Sequence, residues 1–284
     1  MEHYIKTNQI TVHCLDYPGD APHTLVLLHG LSANAACFEG LMSAGLSQLA
    51  RVVSIDLRGR GKSDKPEGPY SMEAHAADVI AVIEALQLEN IILGGHSFGA
   101  LLSVYIAAQY PQYARKVIIM DAAARLHENV QAMVAPSTLR LQQPPYASFD
   151  AFRDHIRQAE YLDGIWNPEM EAYYVADVET LPDGRVQHRS SFEHIQLSIQ
   201  GLLGSGIDWI SLIRQVEQPA LLIQADGVYA LGAPILPEAY ARETVAMLPD
   251  GRFVQVPGNH FTMLYETGAR AIVAAIQTFL AEKK

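Results

Sequence analysis

The chain has 284 residues, 49% apolar and 18% charged, with a net charge of −11 and a pI near 5.4. These values describe a folded globular protein with room for one large α/β domain; they argue against disorder, a coiled coil, and nucleic acid or an anionic membrane surface as partner. The two cysteines, Cys14 and Cys37, read as reduced thiols packed as small apolar side chains, and no apolar stretch approaches the roughly 20 residues of a membrane span. No signal peptide is visible after Met1-Glu2-His3, so a soluble, cytoplasmic protein is expected.

In chain order, Ile10 to Leu15 reads as a strand closed by the turn Tyr17-Pro18-Gly19-Asp20. Thr24 to Gly30 is an almost continuous apolar run, as in a strand buried on both faces. Ser32 to Leu49 reads as helix, with Gly40 and Gly45 weakening its ends, and Arg51 to Asp56 as the next strand. Ser71 opens a helix whose inner side is Val79, Ile80, Ile83 and Leu86. Asn90 to Gly94 is a short β-branched strand, Ala100 to Ala108 a helix, and Lys116 to Asp121 a further buried strand. Strand–helix–strand at this rhythm predicts a parallel sheet with right-handed crossovers.

After Ala124, as far as Val216, no buried strand is expected. The segment offers helix-like stretches at Phe149–Leu162, Pro168–Leu181, Phe192–Leu203 and Ile207–Val216, separated by turn signals such as Asn167-Pro168 and Pro182-Asp183-Gly184. The sheet rhythm resumes with the strand Ala220–Gln224, the helix Pro237–Met247, the strand Arg252–Val256 and a last helix Gly268–Glu282. The expected organisation is a doubly wound core in two parts, residues 1–124 and 217–284, with residues 125–216 inserted as a helical cap.

The five residues Gly95-His96-Ser97-Phe98-Gly99 read G-x-S-x-G and lie between a predicted strand and a predicted helix. The pentapeptide alone is weak, but that context makes it a tight corner that lifts the Ser97 hydroxyl above the sheet. A serine hydroxyl is a poor nucleophile at neutral pH and needs a base. His260 suits that role: it stands in Pro257-Gly258-Asn259-His260-Phe261, a turn after a predicted buried strand. His96 is expected to pack and hydrogen-bond within the corner.

With His29-Gly30 after the early strand, the serine corner, and the histidine turn in that order, nearly the whole chain resembles the α/β-hydrolase family. The resemblance implies acyl transfer to Ser97 followed by hydrolysis, with His260 as base and the backbone N–H groups of Leu31 and Phe98 as oxyanion donors. It also implies that His29 shapes the oxyanion loop. For the acid that orients His260 the family uses two places. One is the end of the strand before the cap, here Asp121. The other is the loop after the strand that follows the cap, where Asp226 stands two residues early and the aligned position is Val228. Asp121 is taken first and Asp226 is its alternative.

Two tempting motifs fall away. Gly59-Arg60-Gly61-Lys62-Ser63 lacks the first glycine of a phosphate loop, because Asp56 stands there, and reads as a turn. His155, His188 and His194 lack metal-ligand spacing, so neither cofactor nor metal is expected. The cap aromatics Tyr146, Phe149, Phe152, Tyr161, Trp166, Tyr173, Tyr174, Phe192 and Trp209 are expected to hold the cap to the core, with a few lining a pocket for a small-molecule acyl substrate. The leading expectation is hydrolysis of a carboxylic ester, with thioester or lactone in range. Carbon–carbon bond hydrolysis or perhydrolysis on the same residues, and a slow-turnover ligand receptor, are the alternatives.

Overall fold

A strand that is apolar on both faces must be covered on both, and the computed structural model of the chain, which describes residues 1–7 and 9–282, shows how. The core opens with β1 (Glu2–Lys6), β2 (Thr11–Tyr17) and β3 (Thr24–Leu28), followed by α1 (Glu39–Ser43), α2 (Leu46–Leu49) and β4 (Arg51–Ile55). Then come α3 (Met72–Ala85), β5 (Ile91–His96), α4 (Phe98–Gln109) and β6 (Lys116–Met120). The intervening segment, called the cap below, holds α5 (Val130–Leu139), α6 (Phe149–Ile156), α7 (Pro168–Asp177), the hairpin β7 (Val178–Thr180) and β8 (Val186–His188), α8 (Phe192–Leu203) and α9 (Trp209–Arg214). The core closes with β9 (Ala220–Ala225), α10 (Glu238–Met247), β10 (Gly251–Val256) and α11 (Glu266–Ala281).

Eight strands form one sheet in the order β1-β2-β4-β3-β5-β6-β9-β10. The strands from β4 across to β10 pair in parallel, and β2 runs antiparallel to both β1 and β4. The doubly wound, mostly parallel sheet expected from the sequence is therefore present.

Alternation along each strand divides the core. Val26 and Leu28 of β3, Leu93 of β5 and Val117 and Ile119 of β6 pack on one face with Val79, Leu102, Leu212 and Ala241 from α3, α4, α9 and α10. Leu25 and Leu27, Ile92, Ile118 and Met120 face the other way, against Leu41, Ile272 and Ile276 of α1 and α11 and against Phe152 and Tyr173 of the cap.

Several local expectations change. The helix expected over Ser32–Leu49 is a 3₁₀ turn, Ala35–Phe38, followed by two short helices. Gly45 at φ +99° breaks the run, and Gly40 lies where a Cβ would come within 2.2 Å of the Leu264 carbonyl. The helix expected to reach Leu181 stops at Asp177, and Val178 and Val186 instead meet in the β7–β8 hairpin, so a short strand pair occupies the cap. Polar caps start the cap helices: Ser148 accepts from the Ala151 N–H, and Asn167, with Pro168 next, accepts from the Met170 N–H. The Gly59–Ser63 turn wraps around a buried carboxylate, Asp56, which accepts hydrogen bonds from the Ala35 and Lys62 N–H groups and lies 2.7 Å from His13 Nδ1.

The serine corner is a close crossing of backbones. A Cβ on Gly95 would lie 2.1 Å from the Gly99 carbonyl oxygen, and one on Gly99 would lie 2.0 Å from that of Leu28. Neither obstacle is a side chain that could swing away. Gly99→Ala is therefore expected to destabilise the protein by about 2–3 kcal/mol, read as a lower urea midpoint; an unchanged midpoint would refute this account of the crossing.

Three histidines around the corner, His29, His75 and His96, are buried and neutral. His29 donates Nδ1–H to the Gly30 carbonyl (2.7 Å) and accepts the Leu57 N–H at Nε2 (3.0 Å). Burial pushes its pKa down to about 4, and pushes those of His75 and His96 well below the usual histidine value. Because the folded values lie below the unfolded one near 6.5, protons favour the unfolded chain. This stability is full above about pH 6.5 and is lost on acidification toward pH 4, by about 1.4 kcal/mol per pH unit for each histidine. Denaturant midpoints measured from pH 7.5 to 4.5 should fall over that window; a flat profile would contradict it.

Candidate active site

Ser97 follows β5 directly and opens α4 with φ +56° and ψ −118°, a left-handed backbone that is costly for a residue with a side chain. The strain is held by the glycine crossing on either side and by the Ser97 N–H, which donates to the Met120 carbonyl (2.9 Å). α4 runs beneath the corner and is buried along most of its length, so the position of Ser97 is fixed by the centre of the molecule.

Asp121 ends the neighbouring strand, also with a left-handed backbone at φ +53°. Its N–H donates to the Ile223 carbonyl (2.7 Å), and its Oδ1 accepts the Ala225 N–H (3.0 Å). The second oxygen, Oδ2, lies 2.6 Å from His260 Nδ1, with both groups buried. This hydrogen bond places the proton on Nδ1 and leaves Nε2 as the free base of the ring. Asp226, the alternative, is exposed, and its carboxylate bonds to no described residue. The structure thus brings Asp121, not Asp226, to His260.

The turn that carries His260 is tied on several sides. Asn259 Oδ1 accepts the N–H groups of Phe261 and Thr262 (2.9 Å each), and its Nδ2 donates to the Tyr161 carbonyl of the cap (3.0 Å). His96 donates Nε2–H to the His260 carbonyl (2.7 Å), and the two rings lie 4.5 Å apart. His96 therefore packs and bonds within the corner as expected. Ser97 and His260 line one cavity of about 70 Å³, with no direct hydrogen bond between them among the described residues. Such bonds are often loose before substrate tightens a site.

Leu31 and Phe98, the expected oxyanion donors, stand beside Ser97 in the fold. Among the described residues neither backbone N–H donates within the chain, and Phe98 is the first residue of α4, where the helix dipole favours negative charge. A Cβ at Gly30 would lie 3.5 Å from Ser97 Cβ, so the loop carrying Leu31 passes against the serine.

Sequence reasoning missed the two arginines that hold this loop. Arg60, fully buried, donates Nε–H to the Leu31 carbonyl (2.9 Å) and stands 5.6 Å from the Phe98 ring centroid. Arg140, at the end of α5, reaches from the cap to the Ser32 carbonyl (3.2 Å). Asn34 Nδ2 adds a bond to the Tyr173 carbonyl of α7 (3.3 Å). Of the cap aromatics, Tyr161, Tyr173 and Tyr174 line the cavity, joined by Tyr229 and Phe261 from the core. Phe152 is buried away from this cavity. His188 is bound to Asp177 and His194 to Ser191; among the described residues no group of three or more His, Cys, Asp or Glu side chains could hold a metal. No helix among them is long and apolar enough to cross a membrane.

Comparison with known proteins fits this arrangement. A family model described as alpha/beta hydrolase fold matches residues 23–163. A 2-(acetamidomethylene)succinate hydrolase of Mesorhizobium japonicum is 30% identical over 260 residues, covering 90% of this chain and 87% of the relative. A non-heme chloroperoxidase of Streptomyces lividans is 28% identical over 243 residues, covering 78% and 81%. A crystal structure of E-2-(acetamidomethylene)succinate hydrolase superposes with a TM-score of 0.84 at 25% identity, over 99% of each chain. By sequence and by fold, the chain belongs to the α/β-hydrolase family.

Proposed function

We infer that the protein is a serine hydrolase that opens a carboxylic ester through an acyl-enzyme. The observation that carries this reading is the buried 2.6 Å contact between His260 and Asp121, on the wall of the cavity that Ser97 enters from its strained corner. In the first step Ser97 Oγ attacks the carbonyl carbon and its proton passes to His260 Nε2. The carbonyl π-pair moves to oxygen, and the N–H groups of Leu31 and Phe98 donate hydrogen bonds to the oxyanion so formed. The oxyanion then collapses, the bond to the leaving group breaks, and the leaving group takes the proton from His260. Water, deprotonated by the same nitrogen, attacks the acyl carbon, and Ser97 is released with its proton restored. Asp121 holds the imidazole in one tautomer and offsets its charge while it is protonated.

The Mesorhizobium japonicum relative is named for an acetamido substrate, so amides belong beside esters among the substrates to be tested. The cavity volume of about 70 Å³ suits a short acyl group.

With p-nitrophenyl esters, acetyl and propionyl substrates are expected to turn over faster than octanoyl ones. Ser97→Ala should lower kcat/KM by at least about 10³-fold and Asp121→Asn by about 10³- to 10⁴-fold, while Asp226→Asn stays near the parent. A fluorophosphonate should add its mass at Ser97 in the parent and not in Ser97→Ala. Undiminished turnover by Ser97→Ala would end this reading, and undiminished turnover by Asp121→Asn would remove Asp121 from it.

A further inference from the structure

The cavity at Ser97 does not stand alone. Arg140, Tyr161 and Tyr229 line both it and a larger neighbouring chamber of about 310 Å³, so the two chambers meet at these three side chains. Among the described residues Arg140 is the only Lys or Arg on the wall of the Ser97 cavity, and no Asp or Glu stands there. In a chain of net charge −11, the surface that meets a ligand beside Ser97 carries one fixed positive group and no fixed negative one.

The guanidinium is held firmly but not consumed. Its Nη1 donates to Asp177 Oδ2 (2.5 Å), and its Nη2 to the Ser32 carbonyl (3.2 Å). Asp177 is 1% exposed, also receives His188 Nδ1–H (2.9 Å), and lines neither chamber, so it anchors the arginine from behind. A guanidinium has five N–H groups. No described acceptor takes the Nε–H of Arg140, and Nε is not among the sealed, unpartnered buried atoms, so this donor is both unused and accessible in a residue that lines the cavity. Nη2 has two N–H groups, of which the Ser32 carbonyl takes one. Two such donors, fixed in a plane and screened from bulk water in a residue only 8% exposed, match the two oxygens of a carboxylate. Glu160 borders the larger chamber, so an anion meets least opposition on the Ser97 side of Arg140.

We propose that Arg140 binds a carboxylate on the acyl part of the substrate, so that the compound cleaved at Ser97 is a short acyl anion and the product is a small dicarboxylate. The substrate class named here rests on the serine-hydrolase reading above. The anion site itself can be tested without turnover.

The test is isothermal titration calorimetry on the full chain carrying Ser97→Ala, with succinate and glutarate as charged ligands and succinamide and glutaramide as neutral ones. The dicarboxylates are expected to bind at least about tenfold more tightly than their diamides, the scale of one charge-assisted hydrogen bond. Added Arg140→Gln should bring that ratio close to one, and Arg140→Lys, which keeps the charge but loses the fork, should leave an intermediate ratio. Equal binding of acids and diamides, or a preference that survives Arg140→Gln, overturns the proposal. If Arg140→Gln does not fold, the Arg140 Nε–H resonance of the Ser97→Ala protein decides: it should shift with succinate and not with succinamide, and a resonance unmoved by succinate overturns the proposal. Because binding is read on Ser97→Ala, loss of ester turnover and loss of the anion preference are separate results.

Discussion

The carboxyl end of β6 is where the ends of three strands of one sheet are fastened together. Asp121 donates its backbone N–H to Ile223, receives the Ala225 N–H on one carboxylate oxygen, and holds His260 with the other. This is possible because the sheet order sets β9 beside β6 and β10 beside β9, although the cap separates β6 from both in sequence. A left-handed backbone at Asp121 turns the side chain across the strand ends, and the same kind of turn at Ser97 lifts its hydroxyl from the adjacent strand. Both residues hold conformations that an isolated peptide would avoid, and a buried sheet keeps them there.

The loop from Gly30 to Asn34 is the second place where distant parts converge. Arg60 fixes it from the core through the Leu31 carbonyl, Arg140 from the cap through the Ser32 carbonyl, and Asn34 reaches the Tyr173 carbonyl. In all three contacts a side-chain N–H donates to a backbone carbonyl, and the Leu31 N–H has no described acceptor. The cap thus helps shape the loop that faces the serine as well as roofing the cavity.

Much of this was legible in the sequence because parallel strands buried on both faces leave continuous apolar runs, and the candidate residues stand at the ends of those runs. Ser97 and His260 could be placed from their own neighbourhoods. β1 was missed because Glu2 to Lys6 alternates polar with apolar residues on an antiparallel edge, without the buried signature. α5 escaped because Pro136 sits inside it, and the β7–β8 hairpin because each strand is three residues long. Arg140 had no local signal at all. Its meaning comes from Asp177, 37 positions later, and from a cavity that exists only when the cap meets the core. Choosing between Asp121 and Asp226 likewise needed the distance to His260, since both follow apolar strands.

The groups that would break and form bonds all come from the core, whereas Arg140, Tyr161, Tyr173 and Tyr174 on the cavity wall come from one uninterrupted stretch between β6 and β9. A lineage can therefore rewrite selection by changing a single block of sequence while the reacting groups keep their places. The freedom ends at the carbonyls of Ser32 and Tyr173, where the block is bonded to the core loop and where exchange of one part obliges a matching change in the other.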